Sequence, residues 1–287
     1  SFNIRYSKST DGGVTWASPT QVTTNNSVGQ NKTNPCIVIM ANGNPLIINE
    51  FNNNNSEYYI NRNIWNGTSW VISSYIYFVS GSYPQSSPSA TVDSNGVIHV
   101  AWHGTDVGDA TYHAIRYSKS VDNGLNWSAM IEVDYVPLQF CQRASVSSDI
   151  NNNIYIGYDR GKNADGFSTN IYFAKSADGG VSFPIKTNIT NNPTSGTGNT
   201  SYQCSLCNNY NNFENPILIY SNLINSDVKF YGKWTESNSP QIIPSLSTAT
   251  SESQLQAIDI GQLKSYGSAQ KFYTGFKSNK SIGFTPF

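Results

Sequence analysis

Four carboxylates, Glu50, Asp106, Asp109 and Asp159, fall in or beside short polar segments that interrupt apolar strand patterns. Carboxylates paired about 5–10 Å apart are what hydrolysis of a glycosidic bond requires, one as acid and the other as base or nucleophile. Arg143 and Arg160 lie close to two of them in sequence, and guanidinium groups hold anionic oxygens in pairs. Trp102, His103 and Tyr158 stand at similar strand ends. Aromatic faces beside Asp, Asn and Arg suit sugar recognition. The candidate ligand-binding set is therefore Trp102, His103, Asp106, Asp109, Arg143, Tyr158, Asp159 and Arg160. An enzyme would draw on Glu50, Asp106, Asp109 and Asp159, with Tyr158, Arg143 and Arg160. Each of these, taken singly, also has the plain reading of a solvated loop residue.

Metal and cofactor chemistry finds little support. Asp106-x-x-Asp109 and the stretch from Asp159 to Asp165 offer oxygen ligands of the kind Ca²⁺ takes, but neither follows the EF-hand pattern. Cys204-x-x-Cys207 would need two further ligands to hold zinc, and His99, His103 and His113 all lie in another segment. With Cys36 and Cys141 the pair reads as buried thiols or a structural disulfide. The expectation is no cofactor and no metal.

Charged residues make up 12% of the 287 positions, against about 25% in ordinary globular proteins. Tyr, Phe and Trp reach 13%. Low charge with abundant Tyr, Thr, Asn and Gly favours strands and tight turns. The net charge is −1 and no basic run is present, which argues against a nucleic-acid partner. No apolar stretch approaches the roughly 20 residues needed to cross a bilayer, so membrane insertion is not expected. A neutral surface of Asn, Ser and Thr fits an extracellular or surface-exposed protein. The chain starts inside a repeat, as a processed chain or a fragment of a longer one would.

The elements that must carry these residues repeat. Ile4 to Trp16, Ile115 to Trp127 and Ile171 to Phe183 nearly superpose, and Tyr59 to Trp70 is a degenerate copy. Each good copy ends in a turn of the form S-x-D-x-G-x-x-[W/F], with Asp11, Gly13 and Trp16, then Asp122, Gly124 and Trp127, then Asp178, Gly180 and Phe183. The closing aromatics recur every 54 to 57 residues. In each turn Asp accepts backbone N–H groups two or three residues on, Gly takes positive φ, and the aromatic tucks into the sheet for about 1.5–3 kcal/mol or more. Before each turn come two apolar strands joined by a hairpin, as in Ser89 to Trp102 and Ala144 to Tyr158. Each unit thus holds strands a, b and c, the turn, and d. Four strands per unit of about 55 residues is the arithmetic of a β-propeller. Five units are visible over 1–287, read as one domain. The N-terminus supplies c and d, the C-terminus a and b, and their pairing closes a five-bladed ring; a longer chain would allow six.

These turns resemble the Asp-box (BNR) repeats of the sialidase-like superfamily. The resemblance implies an all-β propeller whose box turns lie on the face opposite the ligand site, which is then built from the b–c and d–a loops. It spans catalytic and non-catalytic proteins alike. Its sialidases clamp a substrate carboxylate with three arginines, the first in an Arg-Ile-Pro motif, and use a tyrosine nucleophile, a glutamate and an aspartate. No Arg-Ile-Pro occurs here, and of five arginines Arg5, Arg62 and Arg116 lie on or near c strands, where Arg5 and Arg116 share one repeat position. The leading expectation is a non-catalytic propeller module binding a glycan or surface glycoprotein through its loop face. An exo-acting glycosidase of sialidase type comes second. A structural propeller packed against other chains of a surface assembly comes third.

Overall fold

A computed structural model of the chain describes residues 1–24, 28–53, 57–161, 169–191, 200–207, 217–224, 227–234, 241–242, 255–260, 273–278 and 282–286. β1 (Arg5–Tyr6) and β2 (Thr20–Gln21) form a two-stranded sheet. Four four-stranded antiparallel meanders follow. The first is β3 (Gln30–Ile39), β4 (Pro45–Asn53), β5 (Glu57–Trp65) and β6 (Trp70–Ser80). The second is β7 (Gln85–Val92), β8 (Ile98–Gly104), β9 (Ala114–Ser120) and β10 (Ile131–Asp134). The third is β11 (Phe140–Ser148), β12 (Ile154–Gly161), β13 (Asn170–Ser176) and β14 (Ile185–Asn188). The fourth is β15 (Thr200–Cys207), β16 (Ile217–Ile224), β17 (Asp227–Trp234) and β18 (Gln241–Ile242). β19 (Leu255–Ile260), β20 (Tyr273–Ser278) and β21 (Ile282–Pro286) form a three-stranded sheet. Among the described residues no helix is long and apolar enough to cross a membrane.

A meander cannot bury both faces alone, and each sheet here is covered by its neighbours. Leu46, Ile48 and Ile60 of the first sheet pack with Ile98, Val100 and Trp102 of the second. Ile115 and Tyr117 of the second meet Ile154, Ile156 and Tyr158 of the third. Ile171 and Phe173 of the third meet Leu206 and Leu218 of the fourth. All seven residues of β8 are buried, because a second strand is sandwiched on both sides. The first strands of the four sheets, with Ile4 to Ser7, line a shared cavity of about 600 Å³. Serines tie those strands together: Ser89 Oγ accepts the Val146 amide at 3.1 Å, and Ser145 Oγ accepts that of Leu206 at 3.0 Å. Antiparallel meanders packed face to face around a common cavity are a propeller arrangement.

The three S-x-D turns are alike in detail. The Ser9, Ser120 and Ser176 hydroxyls bond Asp11, Asp122 and Asp178 and accept the amides of Gly13, Gly124 and Gly180 at 2.8–2.9 Å. The Asp carboxylates accept the amides of Thr15, Asn126 and Ser182, four residues on, so their reach exceeds the expected two or three. Gly13, Gly124 and Gly180 have φ of 93°, 77° and 79°. The closing aromatic packs back onto the preceding sheet: Trp127 joins the core between first and second, and Phe183 meets Tyr117 edge-on at 4.9 Å. Trp16 departs from expectation. It is 65% exposed, in contrast to Trp127 and Phe183. In the degenerate copy Asn66 replaces Asp and accepts the Thr68 and Ser69 amides.

A second repeated feature escaped the pattern. The register slips at the same place in the first strand of each four-stranded sheet: between Thr33 and Cys36, Ser86 and Ser89, Gln142 and Ser145, and Tyr202 and Ser205. Asn34, Ser87 and Arg143 take φ of 48°, 53° and 55° in three of these bulges. Left-handed backbone is uncommon for a residue other than glycine, and bulges re-aim side chains. The register sets the levels of the second-strand ends. Asn49, Trp102, Tyr158 and Tyr220 share one level, and Glu50, His103, Asp159 and Ser221 share the next.

Candidate functional site

The bulges stand at the end of the central cavity where the second strands finish, on the loop side of the sheets. The second and third are held from the sheet before them. Glu50 Oε2 accepts the Ser87 amide at 3.0 Å, and His103 Nδ1 accepts the Arg143 amide at 3.3 Å. The other oxygen of Glu50 accepts the Thr33 hydroxyl and the Asn34 amide group, both at 2.7 Å. Asp159, at the level of Glu50 and His103, is paired with Arg143 Nε at 2.5 Å. Glu50, His103, Arg143 and Asp159 are therefore brought to one mouth, where their polar groups join one sheet to the next.

Electrostatics follow from burial. His103 is 7% exposed, and desolvation holds its pKa down to about 3, with the neighbouring His113 and Arg143 acting in the same direction. His113 is also lowered, chiefly by burial. The two rings lie 5.1 Å apart. Gln142 Nε2 lies 2.7 Å from His113 Nδ1 and, as an amide NH₂, can only donate. Both histidines are thus neutral with Nδ1 accepting, which leaves the proton on Nε2. Each presents a donor and no base.

The outer candidates form a second group around Arg116. This side chain is 1% exposed and bonds Asp106 Oδ2 at 2.9 Å, Tyr77 Oη at 3.0 Å and Gln85 Oε1 at 3.3 Å. Asp106 Oδ1 caps the Gly108 and Asp109 amides. Asp109 accepts the Thr111 and Tyr112 amides and the Tyr135 hydroxyl, and the amides above all hold its pKa below the usual range. A cavity of about 240 Å³ opens between Asp106, Asp109, Tyr112, Arg116, Glu132 and Tyr135. The carboxylates offered for Ca²⁺ at Asp106 and Asp109 are thus engaged by protein donors; Lys162 and Asp165 lie outside the described residues. Cys141 and Cys204 are buried thiols outside any disulfide; the Cys207 side chain is not among those described.

Two candidates are buried away from any ligand, and a third is committed to neighbouring side chains. Trp102 is wholly buried, donates its indole N–H to Gln85 at 2.9 Å and packs on Tyr77. Tyr158 is wholly buried and donates to Asp134 at 2.7 Å; burial and that carboxylate push its pKa far up, the reverse of an activated nucleophile. Arg160 bonds Gln139 and Asp134 and stacks 4.5 Å over Tyr172, which makes it a bridge to the second sheet. Trp102 and Tyr158 sit on strands covered on both faces, so a large apolar body there enters the core. Conversely, Arg116 shares its repeat position with Arg5, yet Arg5 is exposed and Arg116 is buried. The Asp106 loop gives Arg116 neighbours that its repeat position does not encode. His113, Gln85 and Tyr135 carried no signal beyond residue type.

No family model matches the chain, and no curated protein matches it. Solved structures do. A protein of unknown function from Dyadobacter fermentans aligns at TM-score 0.68 with 15% identity, covering 99% of this chain and 82% of that one. An α-L-arabinanase of Penicillium chrysogenum in complex with arabinobiose aligns at 0.64 with 13% identity, over 100% and 85% of the two chains. A Trypanosoma rangeli sialidase in complex with the inhibitor DANA aligns at 0.62 with 15% identity, over 99% of this chain and 49% of that one. At such identities the likeness is one of fold: the chain has the propeller fold shared by sialidases and other glycan-active proteins.

Proposed function

We propose that the chain is a non-catalytic, sialidase-like propeller module that binds a glycan, free or on a surface glycoprotein, at the mouth formed by its sheet bulges and b–c and d–a loops. Its S-x-D turns are read as Asp-box repeats, and residues 1–287 as one domain of an extracellular or surface-exposed protein. The N-terminal c and d strands and the C-terminal strands would share the closing blade.

The observation that carries the non-catalytic reading is the engagement of every candidate acid. Glu50 takes three hydrogen bonds in joining two sheets, Asp159 holds Arg143, Asp106 holds Arg116, and Asp109 is capped by two amides and a tyrosine. A general acid at neutral pH needs a raised pKa, whereas that of Asp109 is lowered. The enzymatic alternative, an exo-acting glycosidase, draws on the company of glycan-active enzymes sharing this fold. The test is a glycan array probed with the chain and with Arg143→Ala. Specific glycan signals weakened by the substitution support the proposal; a blank array from folded protein contradicts it and favours a structural propeller.

A further inference from the structure

Three non-glycine residues in left-handed backbone, at one register position in the first strands of three successive sheets, need an explanation. Glycine adopts such φ at no steric cost, and strain of this kind collects at functional sites. Asn tolerates the region better than most residues; Ser and Arg do so less readily. The preceding sheet holds the backbone of the second and third bulges in place through Glu50 and His103. That support uses the amides of Ser87 and Arg143 and makes no use of their side chains. The Ser87 hydroxyl has no hydrogen-bond partner among the described residues and is not sealed from solvent. Asn34 is exposed and uses only its amide nitrogen, on Glu50. Within the fold, glycine would serve at 87 at least as well.

We propose that Asn34, Ser87 and Arg143 form a ligand-reading arc around the cavity mouth, one residue per sheet, and that its ligand is a neutral, hydroxyl-rich sugar chain. The assignment rests on the glycan-binding reading and names the residues and ligand class of that same site. The Asn34 carbonyl oxygen accepts a sugar hydroxyl, Ser87 donates or accepts, and the part-exposed Arg143 donates to ring and hydroxyl oxygens while Asp159 holds its Nε. His103 Nε2–H adds a neutral donor beside them. Charge favours a neutral ligand: among the described side chains that meet at the mouth, Glu50 and Asp159 outnumber Arg143, and both histidines are uncharged. An anionic chain would meet no surplus of positive charge.

The test replaces side chains without straining the backbone. The full chain, Ser87→Gly and Asn34→Gly are titrated calorimetrically against neutral hexasaccharides of arabinose, xylose, galactose and glucose, with sialyllactose and a heparin octasaccharide as charged counterparts. Thermal unfolding is recorded in parallel. The expected result is binding of a neutral hexasaccharide, weakened about five- to tenfold in each variant, as loss of one hydrogen bond would give, with the Tm of Ser87→Gly unchanged or raised. A neutral sugar bound equally well by wild type and both variants overturns the arc and leaves the glycan reading standing. Preference for a charged ligand overturns the ligand class. Loss of Tm together with binding in Ser87→Gly shows the hydroxyl serving the fold and overturns its assignment. No binding by folded wild type removes the glycan reading itself.

Discussion

Glu50 of the first four-stranded sheet accepts the main-chain amide of Ser87 in the second at 3.0 Å, while its other oxygen takes Thr33 and Asn34 at 2.7 Å each. A carboxylate that looks catalytic in the sequence thus joins two sheets. Glu50→Gln keeps the shape but offers one acceptor where three donors converge. The expected cost is about 1–3 kcal/mol, read as a lower midpoint in urea unfolding. An unchanged midpoint would free Glu50 for chemistry.

His103 gives the fold a pH dependence. Its folded pKa of about 3 lies below its unfolded value of about 6.5. The unfolded chain therefore binds more protons between these values. Stability is fully present above pH 6.5 and declines as pH falls toward 3. At pH 5 the loss is on the order of 2 kcal/mol relative to pH 7. His103→Gln retains an acceptor for Arg143 and should flatten that limb; equal slopes in wild type and variant between pH 7 and 5 would contradict the assignment. His113, lowered for the same reason, acts in the same direction and remains in the variant.

Gly179 and Gly180 separate backbone from packing effects. Both have positive φ, 67° and 79°. A Cβ at Gly179 meets nothing within 4 Å, whereas one at Gly180 would collide with Tyr117 Oη, whose hydroxyl is bonded to His99 at 2.6 Å. Gly179→Ala should cost about 1 kcal/mol and Gly180→Ala clearly more, from strain plus displacement of Tyr117. Equal costs in chemical denaturation would show that the Tyr117 contact does not matter.

The closing aromatics divide in the same way. Trp127→Ala opens the interface between the first and second sheets and should cost about 3–5 kcal/mol. Trp16→Ala removes a ring that is 65% exposed and should stay within about 1 kcal/mol. A large loss at Trp16 would reveal a neighbouring surface in solution.

Much of the fold was legible because its signals are local. A Ser, an Asp and a Gly within five residues make each turn, and alternation with hairpin residues marks strands such as Ile98–Gly104 and Ile154–Gly161. The site was less legible because its logic runs between sheets. The bulge at Ser87 has no glycine to announce it, and the bond from Glu50 crosses 37 residues of chain. The sequence offers Trp102 as a ligand platform, yet a strand buried on both faces demands such a side chain in the core. Arg116 was grouped with Arg5 by repeat position, yet its partners come from an inserted loop that Arg5 does not share.

The central claim, that the mouth binds sugar without cleaving it, is tested most directly by incubating the chain with the neutral hexasaccharides and with fluorogenic sialoside, arabinoside and galactoside, recording binding and product release in the same samples. The account predicts saturable binding with no product above the protein-free control. Product formation abolished by Glu50→Gln or Asp159→Asn in correctly folded protein would contradict it, because those carboxylates would then be acting on substrate as well as joining sheets.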